Sequence, residues 1–134
     1  MILLLEKMRA ALDAHDLDRF VSFFREDYIG ERPRYPGANV SSREDVRQNW
    51  AMIISDVPDL RVDVPAAVED GNTIWSEWRA YGTARSGAML ELRGVIIFGI
   101  QDDLVAWSRM YMEPVEQANL SLDEMAGVVR KPPG

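Results

Sequence analysis

An alternation of uncharged and charged residues from position 60 to position 113 most constrains the fold. One parity of four strand-like segments holds only non-ionisable residues, namely Leu60, Val62, Val64, Ile74, Ser76, Trp78, Ala80, Gly82, Leu92, Gly94, Ile96, Phe98, Ala106, Ser108, Met110 and Met112. The other parity holds the charged residues Arg61, Asp63, Glu77, Arg79, Glu91, Arg93, Arg109 and Glu113. Because successive side chains of a strand point to opposite faces, one sheet face is expected to be uncharged. If that face lines a cavity, these strands cannot supply the acids and bases of ordinary pocket chemistry.

The amino-terminal third predicts helices. Leu17, Phe20, Val21 and Phe24 recur with helical spacing after Asp16, which is a plausible N-cap. A similar apolar stripe runs from position 5 to position 12, and a third follows a capping-box pattern at 41–44. Residues 28–36 lie between the second and third helices. Three helices followed by four antiparallel strands predict an α+β domain in which helices cover one face of a curved sheet.

Composition restricts the chemistry and the partners. With no cysteine and one histidine, the chain offers no disulfide framework, thiolate catalysis or zinc–thiolate site, and we expect neither a metal nor a cofactor. A formal net charge of −7 makes nucleic acid a poor partner, because phosphate binding relies on clustered Lys and Arg. The apolar opening of residues 1–5 is cut off by Glu6 and Lys7, so we expect no membrane span, no secretory leader and a cytoplasmic location. A small molecule or a protein remains as the partner.

Two segments carry a family resemblance. Residues 10–20 read Ala-Ala-Leu-Asp-Ala-His-Asp-Leu-Asp-Arg-Phe, and residues 107–113 read Trp-Ser-Arg-Met-Tyr-Met-Glu. On these segments the chain resembles the SnoaL-like branch of the nuclear transport factor 2 superfamily, whose members are cone-shaped α+β domains. The resemblance implies three N-terminal helices packed on a curved, mainly antiparallel sheet. It also implies one domain over residues 1–119 and a short tail over residues 120–134.

The catalytic residues of two branches of this superfamily are not matched. Ketosteroid isomerase-like members use a tyrosine and two aspartates, and the corresponding positions here hold Met8, Arg32 and Ile96. Limonene epoxide hydrolase-like members use an arginine and two aspartates, and the corresponding positions hold Trp78, Ala80 and Met110. Neither replacement set can transfer the protons that those reactions require.

A third branch comes closer. Polyketide cyclase-like members use an acidic residue on the last strand, where this sequence has Met112 followed by Glu113. A shift of one residue would move Glu113 to the cavity face, but its parity favours the charged face and ion pairing across strands. The catalytic candidates are therefore Arg32, Tyr28 and Glu113.

The uncharged face and the helices together predict an apolar ligand cavity. The expected ligand-binding residues are Trp50, Trp78, Phe98, Met110, Met112, Met8 and Tyr35. The alternative is that these side chains fill a core, which stays equally open for Trp50 and Trp78 and is favoured for Phe98. At the rim, Arg32 would select a carboxylate or an enolate, or else it would pair with Glu31 or a nearby Asp.

The charged parity of the strands also carries aromatic residues. We expect Trp75, Tyr81, Trp107, Arg109 and Tyr111 to form a dimer interface, because rigid aromatics mixed with arginine are typical of protein interfaces. The resemblance implies the same, since many family members pair through the convex side of the sheet.

Two classes of function follow. The favoured one is a dimeric binding protein that holds an apolar ligand, which can be anionic, in the cone cavity without transforming it. The alternative is a cofactor-independent cyclase, isomerase or lyase in which Tyr28, Arg32 or Glu113 acts in a non-standard arrangement. A third reading, a subunit that only contacts other proteins, predicts a cavity filled by its own side chains.

Overall fold

One curved sheet of five strands, covered on one face by three helices, makes up most of the part that the computed structural model describes, residues 2–116 and 121–125. Along the chain the elements are α1 (Ile2–Asp13), α2 (Leu17–Ser22), β1 (Phe24–Glu31), a 3-10 turn (Pro36–Ala38), α3 (Arg43–Asp56), β2 (Arg61–Asp70), β3 (Thr73–Thr83), β4 (Met89–Gln101) and β5 (Leu104–Pro114). The predicted α+β class is confirmed. The predicted tail, residues 120–134, lies outside the described residues apart from 121–125.

The strands lie in the order β1-β5-β4-β3-β2. The pairs β2–β3, β3–β4 and β4–β5 are antiparallel and form the meander that the sequence predicts. At one edge, β1 runs parallel to β5, and its last paired residue, Glu31, lies opposite Arg109. Within the described residues, positions 110–114 of β5 therefore have no strand beside them on that edge.

The first strand is an element that the sequence analysis missed. The apolar spacing predicted a helix that includes Phe24, but α2 ends at Ser22 and Phe24 is the first residue of β1. Phe24 is buried in either arrangement, so its apolar side chain could not distinguish them. The predicted connecting segment, 28–36, accordingly begins inside β1.

A β-bulge in β5 corrects the predicted face of one residue. Gly99 lies opposite Trp107 while Ile100 lies opposite Val105, so Ala106 has no partner of its own on β4. Val105 is fully buried in the core, whereas Ala106, expected on the uncharged face, is only half-buried. Beyond the bulge the predicted alternation holds, since Ser108 faces the cavity side and Arg109 is exposed.

The helices pack on the uncharged face of the sheet and form the core with it. The most completely buried large side chains of this core are Met8, Leu12, Leu60, Ile74, Val57, Val62 and Val105. Asp16 caps α2 by accepting a hydrogen bond from the backbone N–H of Arg19. Ser42 caps α3 in the same way through Asp45, one residue later than the capping box predicts.

The other sheet face carries the charged residues, several of which form ion pairs. Nε of Arg79 and Nε of Arg93 donate to the same Oε1 of Glu91, at 2.6 and 2.7 Å, and these hydrogen bonds lower the pKa of Glu91. Among the aromatic residues of this face, Trp75 is 47% exposed and Tyr111 is 44% exposed. No helix among the described residues is long and apolar enough to cross a membrane.

Candidate functional site

A small chamber lies between the helices and the sheet. Its volume is about 40 Å³, and its lining is Leu12, Phe20, Phe24, Tyr28, Gly30, Glu31, Arg32, Val40, Val46, Asn49, Trp50, Trp78, Ile96, Phe98, Ser108 and Met110. A water needs about 10–15 Å³ measured in this way, so the inner chamber has room for about three water-sized groups. The core side chains of this region therefore leave only a little space unfilled.

A larger outer pocket adjoins the inner chamber. Its volume is about 620 Å³, and its lining is Arg32, Arg34, Tyr35, Asn49, Trp50, Ile53, Leu92, Arg93, Met110, Tyr111, Met112, Glu113 and Pro114. The two spaces share four lining residues, Arg32, Asn49, Trp50 and Met110. The outer pocket has the size of a small-molecule site, and it lies along the part of β5 that β1 does not reach.

Two hydroxyl groups form a pair in the wall of the inner chamber. The phenol oxygen of Tyr28 on β1 lies 2.6 Å from Oγ of Ser108 on β5, and both residues are only 4% exposed. Burial raises the pKa of Tyr28, while the hydrogen bond with Ser108 and the charge of Arg32 oppose that rise. Tyr28 is therefore a neutral O–H donor at physiological pH.

Gly30 makes room for this pair. A Cβ at position 30 would collide with the phenol oxygen of Tyr28 and would lie 2.5 Å from Cγ2 of Val40. Only glycine lets the end of the tyrosine ring pass this close to the backbone of its own strand.

Another hydroxyl of the same sheet face is fully used inside the protein. Nε1 of Trp78 donates to Oγ of Ser76 at 2.8 Å, and Ser76 donates in turn to the backbone carbonyl of Ile96 at 2.7 Å. The Trp78 ring packs edge to face against Phe98 and lines the inner chamber with its apolar surface. Trp78 thus offers shape and apolar area to the chamber and has no N–H to spare.

Arg32 stands where the two spaces meet, just beyond the end of β1. Its backbone N–H is held by Oδ1 of Asn39 at 2.8 Å, and its side chain is half-buried. Among the described residues, no carboxylate lies in ion-pair range of its guanidinium, and the predicted alternative pairing with Glu31 is not formed. Arg32 therefore brings a positive charge without a paired carboxylate to the junction of the two spaces.

Glu113 has a different partner from the one its position on the strand suggests. It lies opposite Arg93 in the sheet register, but its Oε1 is 2.6 Å from Nη1 of Arg34, in the segment that follows β1. That oxygen is shielded from solvent and is not aligned with an N–H for a directed hydrogen bond. Glu113 thus lines the outer pocket as half of an ion pair at its rim.

The structure brings most of the predicted ligand-binding residues to these two spaces. Trp50, Trp78, Phe98 and Met110 line the inner chamber, and Tyr35 and Met112 line the outer pocket. Met8 corrects the expectation, because its side chain is 1% exposed and packs in the core without lining either space. The three catalytic candidates also lie here, with Tyr28 in the inner chamber, Glu113 in the outer pocket and Arg32 in both.

Two polar residues of the site were not singled out from the sequence. Asn49 lines both spaces and follows Val46 by three residues, one position before Trp50. An amide at that place in the apolar stripe of α3 was a signal that could have found it. Ser108 was among the residues predicted for the uncharged face, but its partner Tyr28 lies on β1, the strand that the sequence analysis missed.

Residues 5–108 match the family model of the SnoaL-like domain. The chain belongs to the SnoaL-like family. The match covers more than half of the 134 residues and agrees with the resemblance carried by the first helices. No curated protein matches this SnoaL-like chain.

Solved structures share the fold of this SnoaL-like protein at low sequence identity. AclR, a candidate hydroxylase from Streptomyces galilaeus, has a TM-score of 0.74 at 16% identity over 98% of this chain and 85% of its own. Wild-type IdmH, a candidate polyketide cyclase from Streptomyces antibioticus, has a TM-score of 0.72 at 17% identity over 82% and 89%. RV0760c from Mycobacterium tuberculosis, solved in complex with estradiol-17beta-hemisuccinate, has a TM-score of 0.68 at 16% identity over 92% and 95%.

Proposed function

We propose that this SnoaL-like protein binds an apolar small molecule with an acidic group and releases it unchanged. The observation that carries the proposal is the uncompensated guanidinium of Arg32, which borders both the inner chamber and the outer pocket. A half-buried guanidinium without a paired carboxylate can form charge-assisted hydrogen bonds to an anion, so the bound state would gain from a carboxylate or an enolate at this point.

The dimensions of the site support this ligand class. The outer pocket has the volume for a molecule of two or three fused rings, whereas the inner chamber admits only a small group. Methionine side chains, here Met110 and Met112, adapt to ligands of irregular shape. Among proteins with this fold, RV0760c was solved with a steroid ester whose hemisuccinate ends in a carboxylate.

We further propose that the protein is a homodimer that pairs through the charged sheet face. Trp75 and Tyr111 expose almost half of their surface there, and the guanidinium of Arg109 stacks 4.8 Å from the ring centre of Trp107. Tyr81 lies under Arg79 in the same way, at 3.9 Å. Such aromatic and arginine groups bind well when a partner removes them from water. The cytoplasmic location stays a prediction.

An enzyme of the cyclase, isomerase or lyase type is the second candidate. The observation that favours it is Glu113, whose carboxylate lines the outer pocket and has one oxygen without a directed hydrogen bond. That oxygen could accept a proton from a ligand if Arg34 moved away. IdmH supports this candidate to the extent that it shares the fold.

The test compares two ligands of the same shape, 2-naphthoic acid and 2-naphthamide, by isothermal titration. Replacing Arg32 by Met should weaken naphthoate binding about 10- to 30-fold, the lower part of the range for hydrogen bonds to a charged group. Naphthamide binding should change less than about threefold, because the amide carries no charge for Arg32 to neutralise.

The control is Arg19→Met, which removes the same charge from an exposed site outside both spaces. Equal naphthoate affinity of the Arg32 variant and the wild type would refute the role of Arg32. Recovered ligand is then examined by mass spectrometry, and conversion to a product would favour the enzyme.

A further inference from the structure

We propose that the hydroxyl pair of Tyr28 and Ser108 binds a carbonyl oxygen of the ligand, which narrows the ligand class to ketones whose C=O group enters the inner chamber. The inference rests on the proposed function, since it requires that the two spaces hold a small molecule. It adds a second anchor, distinct from the positive charge at Arg32.

Counting hydrogen bonds leads to this anchor. Tyr28 and Ser108 each have one hydroxyl proton, and the 2.6 Å hydrogen bond between their oxygens engages only one of the two protons. Among the described residues neither oxygen has another hydrogen-bond partner, so one O–H remains unsatisfied whichever hydroxyl is the donor. A buried donor without an acceptor is costly, and an acceptor that enters the chamber removes that cost.

The chamber selects a neutral acceptor of small size. With room for about three water-sized groups, it admits a C=O group with one carbon substituent but not a ring. Most of its lining is apolar, including Phe24, Trp78 and Phe98, and Arg32, the cation among its lining residues, also borders the outer pocket. An acidic group can therefore meet Arg32 from the outer pocket without giving up all of its hydration, whereas inside the chamber it would lose that hydration. The carbonyl therefore belongs inside the chamber, and an acidic group belongs at Arg32.

The protonation state of Tyr28 supports a donor role. Its pKa is raised, chiefly by burial, so the phenol keeps its proton over the physiological range. The Tyr28 ring is also packed in place, because it is buried and lies edge to face against Phe24. A donor that is fixed in place before binding loses little conformational entropy when the ligand arrives.

This anchor differs from the pattern of the ketosteroid isomerase-like members. The positions that correspond to that pattern hold Met8 and Ile96, which are buried apolar residues here. The hydroxyl groups reach the chamber instead from β1 and β5.

The test compares the ketone 2-acetonaphthone with the alkene 2-isopropenylnaphthalene. The alkene has a CH₂ group in place of the carbonyl oxygen and almost the same shape. Dissociation constants of both are measured for the wild type and for Tyr28→Phe/Ser108→Ala. The two ligands differ in hydration, but that difference cancels when the ratio of their affinities is compared between proteins. The preference for the ketone should fall about tenfold in the double variant, the effect of one hydrogen bond.

Single variants refine the result. Tyr28→Phe and Ser108→Ala each leave one hydroxyl with a free proton, so each should keep part of the preference. Ser22→Ala removes a hydroxyl from the exposed end of α2 and should keep all of it. An affinity ratio that is the same in the wild type and the double variant would overturn the inference.

A spectroscopic readout covers the case in which the double variant does not fold. The infrared stretching frequency of the carbon-13-labelled carbonyl in the wild-type complex should lie below its value in hexane, as hydrogen bonding requires. A bound ketone at the hexane frequency would overturn the inference while leaving the proposed function standing. If naphthoate, ketone and alkene all fail to bind the wild type, the proposed function fails, and this inference fails with it.

Discussion

Replacing Gly30 by alanine tests the packing on which the hydroxyl pair depends. A Cβ at this position would collide with the phenol oxygen of Tyr28 and approach Cγ2 of Val40 to 2.5 Å. Overpacking a well-filled site costs about 1–3 kcal/mol. The backbone of Gly30 does not have a positive φ, so the loss of glycine flexibility returns about 0.4–1 kcal/mol.

The net expectation for Gly30→Ala is a loss of about 1–2 kcal/mol, which for a domain of this length lowers Tm by about 4–7 °C. The assay is thermal unfolding followed by circular dichroism, with urea unfolding as the second measure. Gly37→Ala is the matched control, because no atom lies within 4 Å of a Cβ there and its φ is not positive. It should leave stability unchanged or raise it slightly.

A double variant assigns the cost to its cause. Tyr28→Phe removes the oxygen that the new Cβ meets, so Gly30→Ala should cost at least about 0.5 kcal/mol less in the Tyr28→Phe background than in the wild type. The contacts with Val40 and the ring carbon remain, so the recovery is partial. Strictly additive effects, or a wild-type Tm for Gly30→Ala, would refute the close approach that we describe.

Two further predictions concern the sheet faces and the pH dependence of stability. Trp75→Ala should raise the dimer dissociation constant in sedimentation experiments without changing ligand affinity, because Trp75 lies on the charged face and lines neither space. Trp78→Ala should abolish ligand binding and leave the dimer intact; the reverse pattern would contradict our assignment of the faces. Asp13→Asn should lower the urea midpoint at pH 7, and the effect should be smaller at about pH 3, below the ordinary pKa of an aspartate. Burial opposes the ionisation of Asp13, but hydrogen bonds from Arg61 and from the backbone N–H of Val62 outweigh burial and lower the pKa of Asp13. The stabilisation is therefore present above the unfolded-state pKa and is lost as the pH falls through the folded-state pKa. Equal effects of Asp13→Asn at both pH values would show that its ionisation contributes nothing.

The meander was predictable from the sequence because its alternation is almost unbroken. Residues such as Ile74, Trp78 and Ala80 are buried at a period of two, and Arg79 between them pairs with Glu91 across the strands. A single apolar parity is a strong signal, because a shift of one residue would turn the whole set toward solvent.

The failures have physical causes. β1 carries three consecutive charged residues, from Arg25 to Asp27, and its register with β5 is broken between Phe24 and Ile29. The apolar and polar residues do not alternate there, and the helical spacing of Phe20 and Phe24 led to a predicted helix that includes Phe24. The bulge at Ala106 depends on how β5 pairs with β4, which local sequence does not record.

The candidate site was predictable in composition but not in arrangement. The apolar lining and Arg32 followed from the face pattern and the resemblance. The pairing of Tyr28 with Ser108 joins residues 80 positions apart through the parallel β1–β5 contact. A long-range contact between strands of which one was unrecognised could not be inferred from spacing.

The early end of β1 has a consequence for how this protein can diversify. The ladder between β1 and β5 stops at Glu31, and the irregular segment from Arg32 to Tyr35 lines the outer pocket together with the unpaired end of β5. Insertions, deletions or substitutions in that segment would leave every ladder hydrogen bond of the sheet intact while reshaping the entrance. Part of the ligand preference is thus encoded outside the strands, and a library confined to residues 32–39 could change that part while the sheet keeps its strand pairing.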